Sequence, residues 1–413
     1  MKILHTADWH LGVNLYNESL EMDHNLFLDW LTNVCIPETK PDVIIISGDV
    51  FDKANPSIYA RKQYYQFLAN LVNLGIQKII ITAGNHDSPA MLEAPKELLA
   101  QLNILVVGSA TQNHEELLIQ ILDKTDKNPI AIIAAVPYLR DQDVRFSQAD
   151  EHEEMREEAL KKGLNKYFLD VAISSSKYRN SGIPIICMGH LYATGVSMSD
   201  SERPIQIGNL GNIGADCFPK EYFSYVALGH IHKAQKVEGA NHIWYSGSPI
   251  ALSFSEWDQQ KYFRLISIEG STVESTEIKI PQFRKLIRIK GSFAEVKFKI
   301  REIKDTALLP SLLDIEIIEQ KYNASLGRDI AQWVEELAKS MKNEICIANY
   351  RYIFTDMPKP LSSLGNIKSI EELKPEDVFK NRLDNNFINE EDKKQCFNAF
   401  NQILELVHLE EQI

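Results

Sequence analysis

The sequence predicts an α/β fold for residues 1–280 of this 413-residue chain. Short runs rich in β-branched residues and bounded by glycine are typical of buried strands, and segments with helical patterning alternate with them. The strand-like runs are Lys2–Ala7, Val43–Gly48, Lys78–Gly84, Pro184–Gly189 and Tyr225–Gly229. The helical segments include Asn25–Val34, Ser57–Leu74 and Ala90–Leu102. Because strands that alternate with helices build helix-covered sheets, we expect one α/β domain here.

The remainder of the chain is expected to form further domains, because 413 residues exceed one ordinary hydrophobic core. Residues 281–357 predict a small α+β domain in which three strands share one sheet. Its predicted elements are the strands Leu286–Lys290, Leu313–Ile318 and Ile345–Ile353 and the helices Ala294–Ile303 and Arg328–Met341. Residues 358–413 predict a linker followed by two short helices, Lys374–Arg382 and Glu390–Leu409. Within the first domain, the charged stretch Asp141–Asn180 predicts an exposed helix.

The composition is that of an ordinary globular protein, with 44% hydrophobic and 24% charged residues. No apolar stretch approaches the length that spans a bilayer, and no secretory leader precedes the first strand, so we expect no membrane partner and a cytoplasmic location. The five cysteines are scattered and form no CxxC pair, which favours reduced thiols. The net charge of −13 argues against a free-standing DNA binder unless a local basic face or a partner holds the DNA.

Side chains that bind metals follow the strand-like runs. They are Asp8, His10, Asp49, Asn85, His190, His230 and His232. Functional groups in α/β sheets lie at the carboxyl ends of the strands, so we expect these side chains to meet at one edge. Mixed imidazole and carboxylate ligands suit manganese, iron or zinc. A carboxylate can bridge two cations, and Asp49 is the obvious bridge.

The sequence therefore predicts a centre of two divalent cations. Two such ions, roughly 3.5–4 Å apart, can clamp a phosphoryl group and lower the pKa of a water molecule. The ring of His86, which follows Asn85 directly, could face the phosphate and stabilise the transition state or protonate the leaving oxygen.

Simpler interpretations of single residues stay open. Asp49 alone could cap a helix, and Gly-Asp or Gly-His pairs occur by chance in a long chain. Isolated histidines lie more often at the surface or the edge of a core than in a metal site. This applies to His24, His114, His152, His242 and His408. Residues of metal-binding types follow several strand-like runs in turn, and this recurrence favours the metal centre.

The motifs resemble those of the calcineurin-like metallophosphoesterase superfamily. The matching segments are Asp8-x-His10, Gly48-Asp49-x-x-Asp52, Gly84-Asn85-His86-Asp87, Gly189-His190 and Gly229-His230-x-His232. Within that superfamily, the runs His5–Gly12, Ala83–Ser88, Tyr245–Phe254 and Glu372–Leu383 are similar to the bacterial branch of the double-strand-break repair nucleases. Archaeal and eukaryotic relatives carry His where this chain has Asp52, so any role of that His is not transferred.

The resemblance implies a two-sheet sandwich flanked by helices, with a capping domain and C-terminal helices. It implies that one ion, preferably manganese, is bound by Asp8, His10, Asp49 and His232. The second ion is then bound by Asp49, Asn85, His190 and His230, and His86 is the catalytic histidine. It also implies 3′→5′ exonuclease action on duplex DNA, and endonuclease action on single strands and hairpins.

The resemblance further implies a homodimer within a heterotetramer. The partner is an SMC-like ATPase that binds the ATP, since this chain has no P-loop of its own. The dimer helices would be Ser57–Leu74 and Ala90–Leu102, although packing of Tyr64, Tyr65, Phe67, Leu68 and Leu71 on the sheet is an equal alternative.

Two further surfaces are proposed to contact partners. A basic stretch opens the second domain, and its residues Arg284, Lys285, Arg288 and Lys290 either contact DNA or form a solvated face. In the terminal helix, Phe397, Phe400, Leu404 and Val407 lie on one stripe, which either packs on its own domain or docks on the ATPase.

Two other functions compete with a DNA nuclease. One is a phosphatase on the same scaffold, although the chain lacks the Asp-Arg-Gly and Asn-His-Glu signatures of protein phosphatases. The other is a non-catalytic scaffold for the ATPase, which would need neither the ligand set nor His86.

Overall fold

The structure is a computed structural model that describes residues 1–145, 153–198, 202, 213–303, 307–321, 323, 325–341, 344–356, 379, 383, 393 and 395–400. Among these residues the strands are β1 (Lys2–Thr6), β2 (Asn14–Leu15), β3 (Glu18–Ser19), β4 (Val43–Ser47), β5 (Lys78–Thr82), β6 (Ile104–Val107), β7 (Leu118–Leu122), β8 (Pro129–Ala135), β9 (Ile185–His190), β10 (Tyr225–Gly229), β11 (Gln235–Lys236), β12 (Ile243–Tyr245), β13 (Tyr262–Glu269), β14 (Thr272–Lys279), β15 (Leu286–Gly291), β16 (Ser311–Lys321) and β17 (Ile345–Asp356).

The helices in the described ranges are α1 (Glu21–Trp30), α2 (Ile36–Thr39), α3 (Ile58–Leu71), α4 (Pro89–Glu93), α5 (Lys96–Ala100), α6 (Asp141–Val144), α7 (Glu153–Asn180), α8 (Phe293–Arg301) and α9 (Leu326–Ser340). A π-helical turn, Leu31–Cys35, joins α1 to α2. Short 3-10 turns are Val72–Leu74, His114–Leu117, Ala215–Cys217 and Phe254–Glu256.

Two sheets pack against each other and confirm the predicted α/β sandwich. Their strand orders are β14-β13-β1-β4-β5-β6 and β11-β12-β10-β9-β8-β7. Strands β1, β4, β5 and β6 run parallel, as do β8, β9, β10 and β12. Between the sheets lies an apolar layer that includes Ile3, Val43, Ile45, Ile186 and Ala227, all fully buried. Strands buried on both faces are expected to be continuous apolar runs, which is the pattern the sequence shows.

Helices cover the outer faces of both sheets. Helix α3 buries Tyr64, Phe67 and Leu68 against the first sheet. Helix α7 buries Leu164 and Phe168 against the second. The prediction of an exposed helix over Asp141–Asn180 is therefore wrong for one face of α7. The many charges mark its solvent side, while apolar residues at helical spacing form the other.

The predicted helix Ala90–Leu102 is also wrong in its continuity, because α4 ends at Glu93 and α5 begins at Lys96. Pro95 has no backbone N–H to donate to the preceding turn, and its own φ of −94° and ψ of 14° lie outside helical geometry, which accounts for the break. The other predicted helices and strands of the first domain lie within a few residues of their expected positions, while the strands β2, β3, β6–β8 and β11–β14 were not predicted individually.

The predicted strands and helices between 281 and 357 are confirmed as β15, α8, β16, α9 and β17, with a sheet order β15-β16-β17. Ser292 caps α8, and Glu295 completes a capping box with it. The chain forms two compact units. One is Met1–Arg288 with Lys304–Asp314 and Leu337–Asn349, and the other is Ile289–Ile303 with Ile315–Glu336 and Tyr350–Ile413. The division into residues 1–280, 281–357 and 358–413 stays a prediction.

The predicted C-terminal helices lie almost entirely outside the described residues, which there include only 379, 383, 393 and 395–400. No helix within the described ranges combines the length and the apolar character that crossing a bilayer requires.

Candidate metal centre

The predicted ligands meet at one edge of the sandwich, where strands of both sheets end. Strand β1 is followed by Asp8 and His10, β4 by Asp49 and β5 by Asn85. In the second sheet, β9 ends in His190, and the loop after β10 carries His230 and His232. Parallel strands bring their carboxyl ends together, which explains why residues more than two hundred positions apart are neighbours.

Three groups of side chains are close enough to hold a cation. They are Asp8 with His10 and His232, Asp49 with His190 and His230, and His10 with Asp49 and His86. In each group the candidate ligand atoms lie within 4.8 Å of one another. The first two groups contain residues that the family resemblance assigns to one ion each, and that assignment stays a prediction. The third group shows that His86 also lies within reach of a cation.

Asp49 stands between the first two groups. Its Oδ2 lies 3.6 Å from His10 Nε2 and 3.2 Å from His190 Nε2. Asn85 completes this side, since its Oδ1 is 3.0 Å from His190 Nε2. A carboxylate with an imidazole on either side is the arrangement that a bridging ligand requires.

The hydrogen bonds of His190 determine which of its nitrogens can bind a cation. Its Nδ1 donates to the Ser47 carbonyl at 2.9 Å, and because a carbonyl only accepts, Nδ1 carries a proton. The nitrogen that faces Asp49 and Asn85 is therefore Nε2. A metal-binding histidine ordinarily has its second nitrogen hydrogen-bonded in this way, which fixes the ring orientation.

The loops that carry the ligands adopt unusual backbone conformations. Asp8, His10, Asp49 and His230 have φ values of 56°, 49°, 50° and 98°, in the left-handed region that side chains rarely enter. Such residues cost on the order of 1–3 kcal/mol each, and they cluster at functional sites because surrounding contacts hold them. One such contact is the His230 amide, which donates to Asp8 Oδ1 at 2.8 Å.

Two glycines allow the loops to approach each other this closely. A Cβ on Gly84 would lie 2.1 Å from Asp49 Oδ1, and a Cβ on Gly48 would lie 2.3 Å from His190 Nδ1. Gly48 also has a φ of 86°. Both glycines are therefore required by space, and Gly48 is required by its backbone conformation as well.

The pocket is well suited to cations, because it buries polar atoms that need a partner. Asp8 Oδ2 and His10 Nε2 are buried, and neither finds a hydrogen-bond partner among the described residues. Buried polar atoms are seldom left without one. The donor set of carboxylate oxygens, imidazole nitrogens and an amide oxygen fits manganese, iron or zinc. These His and Asp groups indicate a site for divalent cations.

The titration of the site points the same way. Burial raises the pKa of the Asp8 carboxyl, only partly offset by His190. Burial would lower the pKa of His190, but the Asp49 and Asp8 carboxylates outweigh it and raise that pKa. The same His190 holds the pKa of Asp49 well below its usual range, against the effect of burial. The two shifts each favour the charged form, a positive His190 beside a negative Asp49.

His86 is oriented by the loop after β4. Its amide donates to Asp49 Oδ1 at 2.9 Å, and its ring Nδ1 donates to the Asp52 carbonyl at 2.8 Å. Because that carbonyl only accepts, Nδ1 holds a proton and Nε2 is the nitrogen available for exchange. The His86 ring lies edge to face with the His10 ring, their centroids 4.7 Å apart. His86 therefore lies beside the ligands, where its place in the sequence led us to expect it.

Several residues that support the site were not predicted. Asp87 was recognised only as part of a motif, yet its carboxylate accepts from the amides of Val50, Phe51 and Gly84 at 2.9–3.1 Å and ties two ligand loops together. His24 was expected at the surface or a core edge; it is fully buried and donates to the carbonyl of Trp9, between Asp8 and His10.

Glu256 and Lys261 also lie beside the site, close to the ring and the main chain of His232. Their charges carried no signal in the sequence, because both residues lie outside every ligand motif.

The proposed DNA-contacting residues take part in ion pairs. Arg284 binds the Asp23 carboxylate with Nε at 2.8 and 3.0 Å. Arg288 pairs with Asp314 at 3.0 Å, and Lys290 pairs with Glu316 at 2.8 Å. Lys285 also has an interaction partner. These pairs reduce the positive charge offered to phosphates, and DNA contact by the four residues stays a prediction.

Several of the residues named for the dimer helix α3 and for the terminal stripe have contacts within the described part of the chain. Of the five aromatic and leucine residues named for α3, Tyr65 is exposed, while Tyr64, Phe67, Leu68 and Leu71 are buried in the core. In the terminal stripe, Phe400 stacks on Phe379 with ring centroids 4.0 Å apart. Leu404 and Val407 lie outside the described residues.

Comparison with known families gives two matches that together cover most of the chain. Residues 1–234 match the model of the calcineurin-like phosphoesterase family. Residues 282–387 match the model described as the type 5 capsule protein repressor C-terminal domain.

Curated relatives extend this similarity over nearly the full length. The chain is 36% identical over 386 residues to the SbcD subunit of the SbcCD nuclease of Escherichia coli K12, which covers 93% of this chain and 92% of the relative. It is 32% identical over 317 residues to the protein of the same name from Rhodobacter capsulatus, covering 75% and 76%. The corresponding protein of Bacillus subtilis is 31% identical over 300 residues, covering 71% and 73%.

Proposed function

Because this chain belongs to the calcineurin-like phosphoesterase family and, within it, to the family of SbcD nuclease subunits, we propose that it is a metal-dependent DNA nuclease. It would act as a 3′→5′ exonuclease on duplex ends and as an endonuclease on single strands and hairpins. The observation that carries the proposal is the position of Asp49 Oδ2 between His10 Nε2 and His190 Nε2, at 3.6 and 3.2 Å.

Two divalent cations, manganese by preference, would be held by this pocket. Asp8, His10, Asp49 and His232 would bind one, and Asp49, Asn85, His190 and His230 the other. Bound there, such ions would polarise a phosphodiester and lower the pKa of an attacking water. The chain's own contribution is to fix the ligands in buried loops, so that little reorganisation accompanies the reaction.

His86 is proposed as the catalytic histidine rather than a ligand. The Asp52 carbonyl holds the proton on Nδ1, so Nε2 can donate a hydrogen bond to a phosphate oxygen when the ring is protonated. The same nitrogen can protonate the leaving oxygen of the scissile bond. A histidine suits this role because its charge changes near neutral pH.

The acidic chain needs help to hold DNA, and the family suggests the source. We propose that an SbcC-type SMC-like ATPase binds both the ATP and this chain, in a heterotetramer built on a homodimer. The complex would process DNA ends in the cytoplasm and associate with the nucleoid when on DNA. Arg284, Lys285, Arg288 and Lys290 remain candidates for phosphate contacts, limited by the ion pairs described above.

The decisive experiment compares two kinds of substrate in the presence of Mn²⁺, with and without the ATPase and ATP. A linear duplex and a hairpin should be degraded, while a chromogenic phosphomonoester should be turned over poorly. The matched controls are Asp49→Asn, which should abolish cleavage, and Asp258→Asn, an exposed carboxylate that should leave it unchanged. Strong turnover of the ester without DNA degradation would identify a phosphatase instead.

The partner is tested separately. Deleting residues from about 370 onward should remove co-purification with the ATPase while leaving Mn²⁺ binding by the first domain intact. Undiminished co-purification of the shortened chain would contradict docking through the C-terminal region.

A further inference from the structure

Two opposite charges are buried directly behind His232, and the proposed chemistry makes no use of them. Glu256 ends the 3-10 turn Phe254–Glu256, and Lys261 stands just before β13. Their side chains are 0% and 8% exposed, and the Lys261 ammonium contacts the Glu256 carboxylate directly. Both belong to the same compact unit as the metal centre.

Lys261 holds the main chain of His232. Its Nζ donates to the His232 carbonyl at 3.1 Å and to Ser248 Oγ at 3.0 Å. The Ser248 amide donates to the same His232 carbonyl at 3.1 Å. The carbonyl of this candidate ligand is therefore fixed by a charged donor and a neutral one, while its amide donates to Glu202 Oε1 at 2.9 Å.

Glu256 faces the ring of His232. Its Oε1 lies 3.9 Å from His232 Nδ1, and its Oε2 accepts from the Leu252 amide at 3.3 Å. The second oxygen of Glu256 also contacts the Lys261 ammonium, so the carboxylate lies between the Lys261 charge and the His232 ring. On the side of the other candidate ligands, the His232 and His10 rings lie edge to face with centroids 5.0 Å apart.

Stability alone does not explain this pair. Burying two charges costs several kcal/mol in desolvation, and well-packed apolar residues of similar volume often stabilise a protein as well or better. The pair is instead placed where it contacts both the carbonyl and the imidazole of one candidate ligand. Metal-binding histidines commonly donate their second nitrogen to a carboxylate, which fixes the tautomer and the ring orientation.

We propose that Glu256 and Lys261 are positioning residues for His232, Glu256 orienting the imidazole through Nδ1 and Lys261 anchoring the main chain. The electrostatic attraction of Glu256 for the Nδ1 side of the ring would favour the ring orientation that leaves Nε2 for a cation held with Asp8 and His10. The proposal rests on the metal centre described above. It concerns only the ion that His232 would help to bind.

The test measures Mn²⁺ binding to the full-length chain by isothermal titration calorimetry. Glu256→Gln keeps the size of the side chain and a hydrogen-bonding amide, but removes the charge. We expect one of two bound Mn²⁺ ions to bind about 10–100-fold more weakly, which is the usual effect of losing an outer partner of a ligand. Binding of the ion held by Asp49, Asn85, His190 and His230 should change little.

A control is Glu277→Gln, which removes the charge from the Arg264–Glu277 pair at 3.0 Å on the β13–β14 hairpin that follows Lys261. This variant should bind both ions as the unsubstituted chain does. Glu256→Asp restores the charge and should recover part of the lost affinity, which a role in stability alone would not predict.

A double variant keeps the proposal testable if Glu256→Gln leaves Lys261 unpaired and the chain fails to fold. Glu256→Gln with Lys261→Met removes both charges together and should fold, yet still bind one ion more weakly. Unchanged affinity for both ions in the double variant would overturn the positioning role while leaving the nuclease proposal intact. An unsubstituted chain that binds no Mn²⁺ would instead refute the metal centre, and the positioning role with it.

Discussion

Asp49 Oδ2 lies 3.2 Å from His190 Nε2, with both side chains almost completely buried. One residue follows a strand of the first sheet and the other ends a strand of the second. This contact therefore joins the two sheets at the edge where the ligands collect. A buried carboxylate beside an imidazole is stable when a proton or a cation lies between them. Substitutions and added Mn²⁺ distinguish a proton from a cation at this position.

Replacing Asp49 should affect both cations, because its carboxylate faces both His10 and His190. Asp49→Asn keeps the shape and removes the charge that a bridging ligand supplies. We expect Mn²⁺ affinity to fall by at least about 100-fold, beyond the effect of losing an outer partner. Calorimetric titration with Mn²⁺ measures this, and two ions bound with unchanged affinity would show that Asp49 is not the bridge.

Replacing His86 should separate catalysis from metal binding. His86→Gln should lower kcat for DNA cleavage by about 10²–10⁴-fold, the range for loss of a general acid. The stoichiometry of Mn²⁺ should remain two. Since His86 also lies within reach of His10 and Asp49, loss of an ion in this variant would identify it as a ligand instead.

Adding a side chain at Gly84 should disturb the centre without replacing a ligand. In Gly84→Ala the new Cβ would lie 2.1 Å from Asp49 Oδ1, so the loop must move. We expect a loss of about 1–3 kcal/mol in the free energy of unfolding, together with weaker Mn²⁺ binding. The control is Gly75→Asn, where nothing lies within 4 Å and Asn tolerates the left-handed conformation. Equal effects of the two variants would contradict the steric argument.

Metal should stabilise the folded chain, because Asp8 Oδ2 and His10 Nε2 are buried without hydrogen-bond partners in the described part of the chain. At a free Mn²⁺ concentration 100 times the Kd, each independent site adds about 2.7 kcal/mol to the free energy of unfolding. Tm measured by differential scanning fluorimetry should rise with Mn²⁺ and fall back with a chelator. A Tm that changes with neither Mn²⁺ nor the chelator would argue against cation binding by the native state.

The metal-free protein should lose stability in acid partly through His5, a buried residue of β1. Burial, assisted by the charge of Arg264, lowers the pKa of His5 to about 3. The unfolded chain binds a proton on this group below about pH 6.5 and the folded chain does not, so stability is full above pH 6.5 and falls toward pH 3.

Between these pH values His5 alone costs up to about 1.4 kcal/mol per pH unit. His5→Gln should reduce the slope of unfolding free energy against pH by up to that amount, as measured by urea denaturation from pH 6.5 to 4.5. An unchanged slope would show that His5 is protonated in the folded state.

Much of the fold and of the candidate site could be predicted from the chain itself. Runs such as Val43–Ser47 and Lys78–Thr82 are apolar throughout because both faces of the strand are buried, and this pattern is local. Ligand types directly after such runs then indicate one shared edge, because parallel strands align their carboxyl ends. The helix break at Pro95 was equally local and could have been predicted from that residue.

What the tertiary structure decided concerns contacts between distant residues. Nothing near Glu256 or Lys261 in the sequence indicates that they contact His232, since 24 and 29 positions separate them from it. The pairing of Arg284 with Asp23 is equally invisible, although it changes how much charge that arginine can offer to DNA. Hydrophobic periodicity and motif spacing show only on which side of its own helix, strand or loop a residue lies. The partner of a buried charge is chosen by packing in three dimensions, where desolvation makes an unpaired charge too costly to keep.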